Sequence, residues 1–126
     1  MRLLVDTPLL LWWVTDSRDL GREARALIAD PYNAVFVSTV SLWEIWLKHS
    51  IGKLRVPPDF DERLTGESFE ILPLSRAHAR NVADLPWTHR DPFDRMLVTQ
   101  AAHEKLLLLT ADKQLGEYGK MVRVVD

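Results

Sequence analysis

Short apolar runs separated by helical patterns constrain this chain more than any other feature. Leu3-Leu-Val5, Ala34-Val-Phe-Val37 and Leu106-Leu-Leu-Leu109 are apolar throughout. Strands of this kind belong inside a sheet, not on its solvent face. Strands are expected over residues 2–6, 34–37, 69–72, 106–109 and 122–125. Between them lie helical segments. The first starts at Pro8 and continues apolar to Val14. The second covers Gly21 to Asp30, with Ala24, Leu27 and Ile28 on one face and Pro31 as its stop. The third runs from Thr39 to about Ser50 and ends at Gly52. A short one over 59–65 follows the break at Pro57-Pro58. Further helices are expected from Ser75, an N-cap, to Asp84, from Asp91 to about Lys105, and over 112–118. Short strands alternating with helices predict a three-layer α/β/α domain. Its sheet should be central, mainly parallel and of four to five strands, in a single domain over residues 1–126.

Composition sets limits on function. A net charge of -2 gives no bulk attraction to nucleic acid, so any such binding needs a local basic patch. The chain has no cysteine, which removes disulfides and thiolate metal sites and fits a reducing cytoplasm. No apolar run is long enough to span a bilayer, so no membrane partner is expected, and the N-terminus has no signal-peptide pattern. The five tryptophans, Trp12, Trp13, Trp43, Trp46 and Trp87, are many for this length. They divide between core packing and an interface with a partner.

Four carboxylates stand where apolar segments end or helices begin. Asp6 closes the first strand, and Asp112 follows the fourth. Glu44 and Asp94 lie in the first turns of two helices. Ligands of open α/β sheets bind beyond the carboxyl ends of the strands. The topology brings all four acids to that edge. Glu44 shares its helical side with Val40, Leu47 and Ile51, and Asp94 shares its side with Leu97, Val98 and Ala101, so both should point inward. Carboxylates crowded together repel one another or take up protons unless a cation is present. The cluster therefore suggests a Mg²⁺ or Mn²⁺ site and phosphate chemistry.

Each acid also has an ordinary explanation. Asp6 and Asp112 could cap the helices that follow them. Ser41-x-x-Glu44 matches a capping box. Asp91-Pro92 fits an N-cap followed by proline at the first helical position, with Asp94 complementing the helix dipole. Convergence on one edge is what these separate explanations leave out.

The ordered segments Leu3-Leu-Val-Asp-Thr7, Ser38-Thr-Val-Ser-Leu-Trp-Glu-Ile45, His89-Arg-Asp-Pro-Phe-Asp-Arg-Met-Leu-Val98 and Leu108-Leu-Thr-Ala-Asp112 resemble PIN-domain ribonucleases. The resemblance covers essentially the whole chain and points to VapC-type toxins of type II toxin–antitoxin pairs. It implies a PIN-like fold and a Mg²⁺ or Mn²⁺ site lined by Asp6, Glu44, Asp94 and Asp112. It also implies metal-dependent endonucleolytic cleavage of structured RNA of the translation apparatus, a homodimer, and inhibition by a cognate VapB-type antitoxin.

The expected reaction is in-line attack by a metal-activated water on an RNA phosphodiester. Asp6 and Asp94 are the first choices as direct ligands. Glu44 and Asp112 would bind through water or complete a second metal position. Thr7, Ser38, Ser41 and Thr110 are candidates for orienting ligands or waters, with caps and turns as their ordinary roles. Lys48, Arg90, Arg95 and Lys113 are candidates for RNA phosphates. An ion pair with Glu44 competes for Lys48. Asp91 is foremost a cap, with direct ligation of the metal or support for the ligands as its alternatives. His89 is a lesser candidate for touching substrate or a ligand carboxylate. A DNA nuclease, a phosphatase and an inactive protein-binding module are the competing readings. Thr7-Pro8 after Asp6 lacks the second acid that a haloacid-dehalogenase-like phosphatase needs two residues on.

Overall fold

The computed structural model describes residues 1–126. Its strands are β1 (Arg2–Val5), β2 (Ala34–Ser38), β3 (Glu70–Leu72), β4 (Leu107–Thr110) and β5 (Val122–Val124). Its helices are α1 (Thr7–Val14), α2 (Arg22–Ala29), α3 (Thr39–Ser50), α4 (Phe60–Thr65), α5 (Arg76–Asn81) and α6 (Pro92–Glu104). Val82–Asp84 and Lys113–Tyr118 are 3-10 segments. The expected elements are all present, and most ends move by one or two residues. The segments over 82–84 and 113–118 tighten to i→i+3 bonding, as short helical pieces commonly do.

The sheet order is β3-β2-β1-β4-β5, and every pairing is parallel. The chain therefore builds outward from β1 through β2 to β3, then crosses back to β4 on the other side of β1. Leu4 is the pivot, opposite Phe36 of β2 and Leu108 of β4. A reversal of this kind opens a crevice at the carboxyl ends of the two central strands. Asp6 and Thr110 sit at that crevice.

Alternation along β1 divides the core. Leu3 and Val5 pack on one side with Leu9, Leu10 and Val14 of α1, Ala24 and Ile28 of α2, and Phe60 and Leu64 of α4. Leu4 faces the other side, with Leu108 and with Leu97, Val98 and Ala101 of α6. Each fully buried leucine is worth about 2 kcal/mol relative to exposure. Both faces of the sheet are thus covered, which is why its strands carry few polar positions.

Two local expectations are corrected. The cap of α3 is Ser38, whose hydroxyl accepts from Val40 N at 3.0 Å, so Ser41-x-x-Glu44 does not form a capping box. The inward face of α3 is Val40, Ser41, Glu44 and Ile45, whereas Leu47 and Ile51 are exposed. Glu44 points inward nonetheless, because α3 crosses the rim of the sheet and buries only its first two turns. The α6 stripe of Leu97, Val98 and Ala101 is fully buried as expected. That helix ends at Lys105, in left-handed conformation with φ 57°, whose N–H donates to Ala101 O and turns the chain directly into β4.

Candidate metal centre at the rim of the sheet

Asp6 follows the last residue of β1 and is only 2 % exposed. Its Oδ1 accepts from Leu9 N at 3.0 Å, capping α1. Its Oδ2 accepts from the Thr110 hydroxyl at 2.5 Å. The same hydroxyl accepts from Asp112 N at 3.0 Å, so one threonine links the first acid to the last. Burial pushes the Asp6 carboxyl up to about 7, aided by the negative charges of Asp94 and Glu44 and opposed by the bonds from Thr110 and Leu9.

Asp94 lies in the first turn of α6. Asp91 caps that helix, its Oδ1 accepting from Asp94 N at 3.0 Å. The cap role of Asp91 is therefore realised, and its charge bears on the neighbouring acid. Burial is the largest cause that raises Asp94 to about 6, followed by the Asp91 charge. The hydrogen bond to His89 opposes the rise, and Glu44 adds to it. His89 Nε2 lies 3.1 Å from Asp94 Oδ2.

Glu44 is buried on α3, one turn before Lys48. Lys48 Nζ donates to Glu44 Oε2 at 2.5 Å. The contact holds the lysine's pKa above its ordinary value. The competing ion-pair role of Lys48 is thus the one adopted. The other oxygen, Glu44 Oε1, is the sole buried side-chain N or O atom with no hydrogen-bond partner. An unpartnered buried carboxylate oxygen is costly unless a cation completes it.

The four acids form two overlapping groups. Asp6, Glu44 and Asp94 repel one another electrostatically. Asp94, Asp112 and His89 place ligand atoms within 4.8 Å of one another, a set that could hold a metal ion. Asp94 belongs to both groups. Asp112 also caps the 3-10 segment after it, accepting from Gln114 N at 2.9 Å. All-oxygen donors with one imidazole at the margin suit a hard divalent cation. Two carboxyls that hold protons far above their ordinary range, with one unpartnered oxygen beside them, are what such a cation would relieve. The residues therefore fit Mg²⁺ or Mn²⁺.

Thr7, also buried, donates its hydroxyl to Ser41 Oγ at 2.9 Å and so fastens α1 to α3 beside the acids. Arg90 and Lys113 remain exposed near the rim. Arg95 does not. It is 4 % exposed, and its guanidinium donates to the carbonyls of Pro86, His89, Val82 and Leu85, so its expected contact with RNA is replaced by an internal one. Its spacing carried a signal, since Val98 and Thr99, three and four residues on, are buried on the same face. Tyr118 was absent from the expected set. Its Oη accepts from His89 N at 3.0 Å across 29 residues, and no local pattern announces that contact.

A comparison with the curated proteins finds no match. Among solved structures, a chain of VapBC2 from Rickettsia felis, crystallised with a promoter DNA fragment, superposes with TM-score 0.74 at 15 % identity over all of both chains. A chain of a toxin–antitoxin complex from Klebsiella pneumoniae gives 0.66 at 22 % identity, covering 97 % of this chain and 96 % of its own. A chain of VapBC-5 from Mycobacterium tuberculosis gives 0.61 at 20 % identity over 98 % and 97 %. At these identities the likeness is one of fold. The sequence model of the PIN domain matches residues 3–121, and with that extent the chain belongs to the PIN domain family.

Proposed function

We propose that this protein is a VapC-type toxin: a Mg²⁺- or Mn²⁺-dependent endoribonuclease that cuts structured RNA of the translation apparatus. The observation that carries the reading is the crowding of Asp6, Glu44, Asp94 and Asp112 at the sheet crevice, with Glu44 Oε1 unpartnered among them. Asp6 and Asp94 would hold the cation directly, with Glu44 and Asp112 completing its surroundings. When bound, the cation supplies an acidified water and neutralises charge on the phosphate. The chain's own residues do the rest. Thr110 and the α1 N-terminus fix both Asp6 oxygens. Lys48 holds one Glu44 oxygen and leaves the other, buried and without a partner, available to the cation. His89 orients Asp94. Exposed Arg90 and Lys113 supply local positive charge for the RNA backbone, offsetting the net charge of -2.

A VapB-type antitoxin is the proposed partner, supported by structural relatives that are themselves VapBC complexes. A homodimer is proposed as well. Trp43 and Leu47 of α3 and Ile51 just past its end are exposed one turn apart, with Leu74 and Trp87 also exposed. Trp43 and Leu74 line the same groove of about 380 Å³. Apolar residues arranged this way on one face suit a second subunit. No helix is long and apolar enough to cross a membrane. We place the action in the cytoplasm, where the proposed RNA substrates are.

The test incubates antitoxin-free protein with structured RNA, DNA and a phosphomonoester, with Mg²⁺ or with chelator, beside Asp94→Asn. RNA cutting that needs the metal and is lost in the variant is expected. Metal-dependent cutting that survives the substitution unchanged removes the site assignment. Turnover confined to DNA or to the phosphomonoester would favour one of the competing enzymatic readings.

A further inference from the structure

Arg95 is a buried cation on α6 with no carboxylate among its partners. Its Nη1 donates to Pro86 O at 2.8 Å, His89 O at 3.3 Å and Tyr118 Oη at 3.5 Å. Its Nη2 donates to Leu85 O at 3.1 Å and Val82 O at 3.4 Å. The ring of Trp87 covers the guanidinium, with Cζ 3.8 Å from its centroid. Burying a guanidinium is costly unless its donors are satisfied. Here they are satisfied by backbone carbonyls of one short segment, residues 82–89, which contains only a single 3-10 turn. A planar fork of donors can gather several carbonyls at once, and a lysine ammonium cannot reproduce that spread.

Tyr118 closes the arrangement from the far end of the chain. Its Oη donates to Pro86 O at 3.2 Å and accepts from His89 N at 3.0 Å. The backbone of His89 is therefore held on both sides, its N–H by Tyr118 and its carbonyl by Arg95. The side chain thus fixed is the one that meets Asp94 Oδ2 at 3.1 Å.

We propose that Arg95, with Tyr118, is a positioning residue of the metal centre: it gathers the segment 82–89 so that the His89 imidazole sets the orientation of Asp94. The inference rests on the acid-site reading for its consequence, but its geometry is independent of that reading. Asp94 belongs to both groups of acids, so a shift in its carboxylate disturbs the whole cluster. Trp87, exposed over most of its surface, shields the guanidinium from water. Ligand carboxylates and imidazoles held by outer partners commonly lose about 10- to 100-fold in metal affinity when those partners are removed.

The experiment uses the full chain and the substitutions Arg95→Lys and Tyr118→Phe, each alone and combined with His89→Ala. Two quantities are read at one fixed pH: the His89 ring ¹⁵N signals of the metal-free protein, and the affinity for Mn²⁺ alone. Both single variants should move the His89 ring signals and weaken Mn²⁺ binding by about 10-fold. In the His89→Ala background the same substitutions should change Mn²⁺ affinity by less than about 3-fold, because the residue they act through is gone. Unmoved ring signals in folded Arg95→Lys, or a full additional loss in the His89→Ala background, overturn the proposal. Should Arg95→Lys fail to fold, Tyr118→Phe decides alone, since it removes only one hydroxyl. A wild-type protein that binds no Mn²⁺ defeats the acid-site reading instead, and the ring signals still report whether Arg95 and Tyr118 position His89.

Discussion

Thr110 and Asp6 join two neighbouring strands at the point where the sheet changes direction: the Thr110 hydroxyl, at the end of β4, donates to Asp6 Oδ2 at 2.5 Å. The bond favours the ionised form of an acid that burial otherwise keeps protonated. Thr110→Val keeps the shape and removes the donor. The Asp6 carboxyl should then rise further, and Mn²⁺ binding near pH 7 should weaken by about 10-fold as protons compete. Titration calorimetry checks this. An unchanged affinity would show that the hydroxyl has no part in preparing Asp6.

The raised Asp6 carboxyl gives a pH dependence with a definite sign. Its folded value is about 7 against an ordinary 3.8. Between those values the folded chain keeps a proton that the unfolded chain has lost. The contribution of Asp6 to metal-free stability is therefore present at low pH and declines as pH rises from about 4 to about 7. Asp6→Asn removes this contribution and leaves the smaller one of Asp94 in place. The variant should gain stability over wild type as pH rises, by on the order of a few kcal/mol at pH 8. Thermal melts of both proteins from pH 4 to 8 give the comparison. A gap that stays flat or narrows would contradict the sign. Added Mn²⁺ should stabilise wild type at pH 8 and leave Asp6→Asn nearly unmoved.

Glu44 places one oxygen on Lys48 and leaves the other without a partner. Glu44→Gln abolishes the charge but retains the shape. In the absence of metal its stability should stay within about 1 kcal/mol of wild type, because the loss of the ion pair to half-exposed Lys48 is offset by no longer burying a charge with an unpartnered oxygen. The Mn²⁺-linked rise in melting temperature should shrink clearly. A full rise in the variant would remove Glu44 from the metal centre.

The exposed stripe on α3 predicts an oligomeric state that depends on single side chains. Trp43→Ser together with Leu47→Ser should yield a monomer by light scattering where wild type is a dimer. The monomer's circular dichroism should be unchanged, since both residues lie outside the core of the single chain. A wild type that is monomeric throughout the micromolar range would defeat the homodimer.

Lys105 holds a left-handed conformation that side chains other than glycine adopt at a cost. Lys105→Gly should stabilise the protein by about 1 kcal/mol, with the cap bond to Ala101 kept. Denaturant titration at constant slope measures the change. Destabilisation would mean that the lysine side chain contributes more than its backbone strain costs.

The layers of this protein are legible in its sequence because burial on both faces leaves unbroken apolar strands. Leu3-Leu-Val5 and Leu106–Leu109 mark β1 and β4 without any tertiary knowledge. Helix starts are local events too, so Asp6, Asp91 and Asp112 could be recognised as caps, and all three serve as caps. The exposed lower half of α3 was less legible. An exposed apolar stripe carries the same spacing as one covered by its own core, so Leu47 and Ile51 read as inward.

Sequence by itself determined the order of elements and which acids stand at the strand and helix ends, since turn chemistry and apolar periodicity act over a few residues. Only the tertiary structure decided how those acids are held. Thr110 reaches Asp6 across 104 residues, and Tyr118 reaches His89 across 29. Arg95 was turned from a candidate RNA contact into a buried anchor by the carbonyls of residues 82–89. Such contacts depend on where the strands and helices pack, and the energy of a buried polar group is set by whichever partner the packing supplies.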